Sequence, residues 1–364
     1  MLLDPRSWSP ANRIDEVLAA LPPAAAARAS AETHACVVEL KTCAHARVPD
    51  AAAELALLRS SLDRTLRGRL RLRAAAAGTH PIASGAEVSV SSGARYHHIS
   101  ATMRALAVRE PTMALHVHVR MPDAATAVQA LDGLRADLPV LLALSANSPF
   151  WRGVDSGFAS VRTPIFSMFP RVGIPRRFAS YRQYVRVVDR MMRSGGIPEP
   201  GFLWWDVRLQ PRLGTVEVRI MDAQTRLADT AGLAALVQCL ARRRADVPRL
   251  GSPDPEMLAE NRFLAARDGM RARMLEGLGP ARPVRDALDE LMDACRPVAG
   301  ALGCAAELAA AAALAVDPGD ARQRRVAAAD GLAALPAKLA ADFVPRTGDR
   351  LRRDARRRRR AAAG

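Results

Sequence analysis

Two short segments of the chain alternate valine with residue types that can do chemistry. In GTVEVRI, Glu217 and Arg219 alternate with valines, and in LHVHV, His116 and His118 do the same. Because successive side chains of a β-strand point to opposite faces, each pair shares one face of a sheet while the valines face a core. Such a face can place an acid, a guanidinium and imidazoles side by side. A cross-strand ion pair and solvated histidines are the alternatives.

Two further acids fit the same chemistry. Glu39 lies in the apolar run ACVVEL, and Glu32 precedes it by seven residues. Carboxylates and a histidine on one sheet face are hard ligands, suited to Mg²⁺ or Mn²⁺ that bridges nucleotide phosphates. A guanidinium beside them can hold a transferring phosphoryl group through its planar fork. Asp206 and Arg208, which alternate with Val207, predict only a supporting salt bridge.

The chain is strongly basic, with 53 lysines and arginines against 37 acids and a formal charge of +16. Nearly all of the positive charge is arginine, since Lys41 and Lys338 are the only lysines. This skew is typical of biased codon usage, and no aromatic residues alternate with the basic ones as they do on single-strand binding platforms. Residues 349–360 carry eight Arg and two Asp, so +6 of the charge lies there. We therefore expect no specific nucleic-acid partner.

Missing motifs exclude several classes of function. No GxxxxGK[ST] occurs, which excludes a P-loop nucleotide site. The five cysteines form no CxxC pair, which predicts reduced thiols rather than a zinc site. The start lacks a basic region followed by an apolar one, and no run of about 18 apolar residues occurs later. We therefore expect a cytoplasmic protein without a membrane partner.

The order of elements predicts an α+β fold with an antiparallel sheet rather than a doubly wound one. Apolar spacing predicts a short helix over residues 12–21 and one long amphipathic helix over residues 124–146. The segment GFLWWDVRLQPRLGTVEVRIMD predicts two antiparallel strands joined by a turn at residues 211–214. From residue 227 to about residue 341 the pattern is mainly helical and rich in alanine.

Longer motifs occur in order along the chain: GTHP (78–81), RY (95–96), LHVHV (115–119), PVLLALSANSPFWRGVDSGFASVR (139–162), WWDVR (204–208), GTVEVRIMD (214–222), ENRFLAARDG (260–269) and ARQRR (321–325). Together they resemble the bacterial carboxylate–amine ligases of the glutamate–cysteine ligase type 2 family. The resemblance covers about residues 4–344. It predicts one ligase catalytic domain over residues 1–344, helical from about residue 227, and a disordered arginine-rich tail over residues 345–364.

The resemblance implies a glutamine synthetase/guanidino kinase-like catalytic fold, in which helices flank a curved antiparallel sheet. The concave face of that sheet would hold ATP and a divalent metal, Mg²⁺ or Mn²⁺. The implied reaction is the ATP-dependent joining of glutamate to the amine of cysteine or another acceptor, through a γ-glutamyl phosphate. Small-molecule substrates and a homodimer are the partners that the resemblance implies.

The family's functional residues carry over to the two alternating segments. The resemblance makes Arg219 the arginine that stabilises the phosphoryl group, and Glu217 a catalytic acid that binds metal on the phosphate side. His116 would contact metal or phosphate. His118, its neighbour on the same face, would also contact the nucleotide.

Further carried-over residues lie outside these segments. Glu32 and Glu39 match paired acids, seven residues apart, that bind another metal in the broader superfamily. Arg95 and Arg162 are the candidates for binding substrate carboxylates. Where the family tends to have glycine after HVHV, this chain has Arg120, and a guanidinium there is expected to alter the substrate pocket.

The beginning of the sequence departs from the family pattern. Family members usually open with a G-x-E-x-E-F strand that supplies acidic metal ligands, whereas this sequence begins MLLD. Without those carboxylates Mg–ATP would be under-coordinated. The alternative function is therefore that of a catalytically impaired, N-terminally truncated homologue that binds a nucleotide or a partner protein.

Overall fold

The protein combines helices with short strands. The computed structural model describes residues 1–107, 109, 111–246, 253–277 and 279–344. The α-helices are α1 (Ile14–Ala20), α2 (Pro23–Ala26), α3 (Val48–Thr65), α4 (Ala94–Met103), α5 (Ala124–Leu134), α6 (Leu138–Ser145), α7 (Arg162–Phe166), α8 (Tyr181–Arg193), α9 (Leu227–Asp246), α10 (Pro255–Asp268), α11 (Val284–Leu302), α12 (Ala305–Val316), α13 (Gly319–Asp330) and α14 (Leu335–Ala341). The strands are β1 (Leu2–Leu3), β2 (Ala29–Ala31), β3 (Val38–Leu40), β4 (Arg73–Ala74), β5 (Val117–Arg120), β6 (Phe150–Trp151), β7 (Val154–Asp155), β8 (Val172–Gly173), β9 (Trp204–Trp205), β10 (Val207–Gln210), β11 (Thr215–Val218), β12 (Arg273–Met274) and β13 (Arg282–Pro283). The predicted mixture of helix and strand is confirmed.

The largest sheet in the part of the chain that the structure describes has three antiparallel strands in the order β10, β11, β5. Glu217 on β11 lies opposite Arg208 on β10 and His118 on β5. The turn between β10 and β11 ends at Gly214, whose φ of 62° is a left-handed conformation that glycine adopts without steric penalty. The predicted hairpin and its turn are confirmed.

Short pairings and single backbone hydrogen bonds extend this sheet sideways. The Met113 N–H, which precedes β5, donates to the carbonyl of Gly78, which follows β4, at 2.9 Å. β4 pairs with β1, and the Leu2 N–H of β1 donates to the Cys36 carbonyl at 2.7 Å. Cys36 leads into β3, which pairs with β2. These bonds connect three separate sheets in the lateral order β10–β11–β5, β4–β1 and β3–β2.

The main core lies on the apolar side of the three-stranded sheet. Val207, Val216 and Val218 are fully buried there and belong to the same apolar cluster as the buried residues of α5 and α9. The alternation of valine with polar residues thus orients the strands, because burying the valines leaves Glu217 and its neighbours on the opposite face.

The single long helix predicted over residues 124–146 is wrong, because two helices, α5 and α6, occupy this span. α5 ends at Leu134, and Pro139 lies in the first turn of α6. Proline lacks an N–H and clashes with the carbonyl four residues earlier, so it is tolerated in a first turn but not inside a helix. All eight residues of α6 are buried, so the redirected chain runs through the core.

The C-terminal part of the fold is mainly helical. α9 begins at Leu227 and is buried along much of its length, and the pair of β12 and β13 interrupts the helices that follow. None of the helices in the described ranges is long and apolar enough to cross a membrane. The predicted arginine-rich tail lies outside the described residues. The division into one catalytic domain and a tail stays a prediction.

A buried carboxylate joins two of the segments that carry the resemblance. Asp222 is fully buried and accepts hydrogen bonds from the Asn147 N–H and from the hydroxyls of Ser148 and Ser160. Arg162 Nη1 lies 3.6 Å from Asp222 Oδ1. Burial raises the pKa of Asp222, and Arg162 and the hydrogen-bond donors oppose this rise. The end of GTVEVRIMD is therefore held to the segment over residues 139–162.

Candidate active site

The polar face of the three-stranded sheet presents its side chains in three rows. Taken across the strands, the first row holds Arg219 and His116, the second Arg208, Glu217 and His118, and the third Gln210, Thr215 and Arg120. Successive rows are about 7 Å apart, because they are separated by two residues of an extended strand. Glu217 is only 1% exposed. The centre of this face is therefore a recess rather than a solvated surface.

Glu217, in the middle of the second row, accepts hydrogen bonds from three neighbouring side chains. Its Oε2 accepts hydrogen bonds from Arg208 Nε at 2.7 Å and Gln210 Nε2 at 3.0 Å. Its Oε1 accepts from Arg219 Nη1. Burial raises the pKa of Glu217, but Arg219 and Arg208 together outweigh burial and hold it well below its usual range. The carboxylate is thus ionised, and the cross-strand ion pair that the sequence left open as an alternative is present.

Both histidines border this carboxylate. His116 Nδ1 lies 3.8 Å from Glu217 Oε1 and 3.4 Å from Arg219 Nη1. His118 Nε2 lies 3.5 Å from Glu217 Oε1, and its Nδ1 lies 3.0 Å from the Thr215 hydroxyl. Burial lowers the pKa of both imidazoles, most strongly that of His116, where Arg219 lowers it further. Both rings are therefore neutral at neutral pH, which leaves each a nitrogen lone pair for a hydrogen bond or a metal.

A second acid approaches from another strand. Glu39 Oε1 on β3 lies 3.8 Å from His116 Nδ1. Glu39 Oε2 accepts a hydrogen bond from the Ser30 hydroxyl at 3.1 Å and lies 3.2 Å from Lys41 Nζ. β3 and β5 belong to separate sheets, and the contact between Glu39 and His116 joins the two. Lys41, one of two lysines in the chain, therefore lies at the edge of the site.

Glu32 lies beside this group rather than within it. Its carboxylate accepts the Thr33 N–H at 2.6 Å, and Ser30 is the residue that lies opposite Glu39 in the β2–β3 pair. Burial raises the pKa of Tyr96 to about 12, and the nearby charges of Glu32 and Glu39 add to the rise. Over the described ranges, no three histidine, cysteine, aspartate or glutamate side chains are grouped so that they could hold a metal ion. The metal roles of Glu32 and Glu39 stay predictions.

The two candidate carboxylate-binding arginines occupy different environments. Arg95 is exposed, donates to Glu199 at 2.5 Å and shares the Gly201 carbonyl with Arg208. Arg162 is buried and donates to the carbonyls of Ile220, at 3.0 Å, and Arg219, at 3.3 Å. Arg162 thus supports the backbone that carries Arg219, and these bonds favour a structural role for it. Substrate binding by either arginine stays a prediction.

Two residues of the site had no signal in the sequence analysis. In the sequence, Gln210 lies in a predicted strand before the turn, and Lys41 stands out only as one of the two lysines. The supporting salt bridge predicted around Arg208 is present, but its partner is Glu217, while Asp206 pairs with Arg262 at 2.6 Å. The register of β10 against β11 selects Glu217 as the partner of Arg208, and the position of α10, which carries Arg262, selects the partner of Asp206. No local pattern contains either.

Acid should destabilise the protein partly through His116. Its pKa is lowered in the folded state, so unfolding takes up a proton as the pH falls below about 6.5. The stability present above that pH is therefore lost progressively between pH 7.5 and 5.5, by roughly 1 kcal/mol from this residue. We expect the difference in thermal midpoint between these pH values to shrink in His116→Asn. His97→Asn, at an exposed histidine of α4, should keep the wild-type difference, and equal behaviour of the two variants would contradict the assignment.

Comparisons with known proteins agree with these motifs. The family model for glutamate–cysteine ligase family 2 (GCS2) matches residues 2–339. A protein of Rubrobacter xylanophilus named "Putative glutamate–cysteine ligase 2-3" is 42% identical over 312 residues, which are 84% of this chain and 84% of that protein. A protein of Jannaschia sp. named "Putative glutamate–cysteine ligase 2" is 33% identical over 331 residues, or 90% of this chain and 87% of that protein.

A solved structure resembles the fold. The bifunctional glutathione synthetase of Pasteurella multocida matches with a TM-score of 0.64 at 13% identity, over 87% of this chain. This chain spans about half of that protein, 47% of its length, and the likeness concerns the fold alone. The family match over nearly the whole chain and the similarity to full-length relatives lead to one conclusion: the chain belongs to glutamate–cysteine ligase family 2.

Proposed function

We propose that the chain is an ATP- and Mg²⁺-dependent ligase that phosphorylates the γ-carboxylate of glutamate and transfers the acyl group to the amine of cysteine or another acceptor. Membership of a ligase family supports the reaction class. We also propose that the strands form the curved antiparallel sheet of a glutamine synthetase-like fold. The lateral order of the strands and the approach of Glu39 to His116 support that architecture.

The observation that carries this proposal is the position of Arg219. Its guanidinium is held by Glu217 and lies beside a neutral imidazole, in a recess where its side chain is 12% exposed. Its Nε is buried and lacks a hydrogen-bond partner among the described residues, so the protein does not fully satisfy this group. A guanidinium fixed in a dry recess stabilises charge that develops on a transferring phosphoryl group more strongly than one in water.

Activation of the carboxylate explains why the site needs this cation. A bare carboxylate reacts poorly with an amine because oxide is a poor leaving group. Phosphorylation creates an acyl phosphate, and attack by the amine nitrogen then forms the amide and releases phosphate. Arg219 would hold the phosphoryl oxygens, and His116 and His118, both neutral, can orient them by hydrogen bonds.

The side chains fit a metal only in part. Both oxygens of Glu217 already accept hydrogen bonds from Arg208, Gln210 and Arg219. Glu217 is therefore better suited to holding these side chains than to binding a metal ion. Glu39 fits better, because Mg²⁺ commonly binds through one or two carboxylates together with substrate phosphates and water. When bound, the metal would neutralise phosphate charge. Glu39 and His116 are the residues that would hold it.

The test is ligase turnover by the purified chain. With Mg–ATP, glutamate and a panel of amines, we expect ADP release to require glutamate, and hydroxylamine to trap a γ-glutamyl hydroxamate. Arg219→Ala should lower kcat by roughly 100-fold or more, because it removes the charge at the phosphoryl group. Arg212→Ala is the matched control, since Arg212 is exposed in the turn of the same hairpin.

Other outcomes separate the alternatives. Glutamate-dependent turnover that survives Arg219→Ala would move the chemistry away from this face. Nucleotide binding without turnover would favour the non-catalytic homologue. Turnover with a substrate other than glutamate would retain the reaction class and correct the substrate.

A further inference from the structure

We infer that Arg120 binds an anionic group of a substrate at the outer end of the polar face. This inference rests on the proposed function, since it assigns a second contact to the same site. Arg120 is the last residue of β5, and its Cα partner on β11 is Thr215. Its side chain leaves the sheet on the same face as His118 and Glu217, because residues two apart on a strand share a face.

The charges on this face make Arg120 different from its neighbours. Arg208 and Arg219 are both committed to Glu217. The side chain of Arg120 is exposed and forms no hydrogen bond or ion pair with any residue in the described ranges. Arg120 is therefore the arginine of this face that Glu217 does not hold, and it lies at the outer end.

The spacing suits a substrate that spans the face. Arg120 follows His116 by four positions, so the first and third rows lie about 13 Å apart along the strand. An extended arginine side chain covers roughly half of that distance, which is long enough for the guanidinium of Arg120 to reach the second row. His118 is the residue of β5 in the second row, and its two ring nitrogens face Thr215 and Glu217. A substrate with its reacting phosphoryl group at Arg219 would thus meet Arg120 with a second oxyanion.

The ligand chemistry is a carboxylate or phosphate oxyanion, which the planar fork of arginine can bind with two parallel hydrogen bonds. Two sources offer it: a phosphate of the nucleotide, or the α-carboxylate of an amino-acid substrate. The sources differ in which substrate loses affinity when Arg120 is replaced. To distinguish the two sources, the KM and the equilibrium binding constant are measured separately for ATP and for glutamate. The KM of the amine substrate is measured as a third comparison.

The experiment compares Arg120→Ala, Arg120→Lys and Arg212→Ala with the wild type. Arg120→Ala should raise the KM of one substrate by roughly 10- to 100-fold and leave kcat within a few-fold, as expected for loss of a charge-assisted hydrogen bond that is equal in ground and transition states. Arg120→Lys should restore part of the affinity. Arg212→Ala, which removes an exposed charge in the turn between the neighbouring strands β10 and β11, should behave as the wild type.

Binding measurements by calorimetry, with ATP and with glutamate as probes, keep the inference separate from the proposed function. A wild type that lacks turnover but binds one probe, with binding lost in Arg120→Ala, contradicts the ligase proposal and supports the inference. A wild type with turnover, in which Arg120→Ala matches Arg212→Ala in every KM and binding constant, overturns the inference alone. A wild type that binds neither probe overturns both.

Discussion

Glu217→Gln should abolish most ligase turnover and lower the free energy of unfolding by about 3 kcal/mol. The substitution keeps the shape of the side chain but removes the charge between two guanidinium groups. Arg208 and Arg219 have side chains only 9% and 12% exposed. They would remain in the recess without a counter-charge, and the new amide would direct N–H donors at one of them. Arg219 would then lose the contact that orients it.

The expected fall in kcat is roughly 100-fold or more, because the fixed position of Arg219 makes its charge effective. The measurements are ADP release and urea denaturation of the same preparations. The matched control is Glu290→Gln, which weakens an exposed ion pair with Arg282 in which Glu290 is 67% exposed. That variant should unfold at nearly the same urea concentration as the wild type and keep its activity, because an exposed ion pair is screened by solvent.

Two results would contradict this account of Glu217. If Glu217→Gln unfolds and turns over like Glu290→Gln, the carboxylate does not hold the two arginines. If stability falls while turnover persists, Glu217 belongs to the fold rather than to the chemistry. Loss of turnover at unchanged stability would instead favour direct contact with metal or substrate, the role that the family resemblance assigns.

Gly78→Ala should destabilise the protein by roughly 3 kcal/mol, although it adds one methyl group. A Cβ at Gly78 would lie 2.6 Å from Asp222 Oδ2 and 2.7 Å from the Ser148 hydroxyl oxygen. Neither atom can move freely, because Ser148 donates to Asp222 at 2.6 Å and the Asn147 N–H donates to the same carboxylate oxygen. The methyl group must therefore break a buried charge-assisted hydrogen bond or displace the backbone.

The backbone at Gly78 is held on both sides, since its N–H donates to the Asn147 carbonyl and its own carbonyl accepts from Met113. Gly68→Ala is the matched control, because a Cβ at Gly68 meets nothing within 4 Å. Alanine there should leave stability unchanged or raise it by up to about 1 kcal/mol, since Gly68 lies in a helical segment. Chemical denaturation measures both, and equal midpoints would contradict the close approach of Gly78 to Asp222.

Some interpretations from the sequence failed for identifiable reasons. The helix over residues 124–146 was predicted as one element because its apolar spacing is continuous. The signal for its division was present, since Pro139 is compatible with a first turn but not with a helix interior. The environment of Arg162 had no comparable signal, because a buried arginine that binds carbonyls cannot be distinguished in a sequence from one that binds a substrate.

The alternation of residues predicted which side chains share a face. The alternation in LHVHV puts His116 and His118 on one face, and the alternation in GTVEVRI does the same for Glu217 and Arg219. Residues two positions apart on a strand share a face, so this arrangement can be predicted from the local sequence. The turn residues before Gly214 likewise predicted the hairpin. The ordered motifs predicted the family, which the match over residues 2–339 confirms.

Tertiary structure decided the rest. The register of β10 against β11 selects Arg208 as the partner of Glu217, and a shift by one residue would place each side chain on the other face. The tertiary fold brings Glu39 Oε1 to 3.8 Å from His116 Nδ1, although 77 positions of chain separate the two residues (116 − 39 = 77). The charges of Arg219 and Arg208 keep Glu217 ionised against the effect of burial, whereas burial keeps both histidines neutral. These properties depend on contacts between distant segments, which no local sequence period encodes.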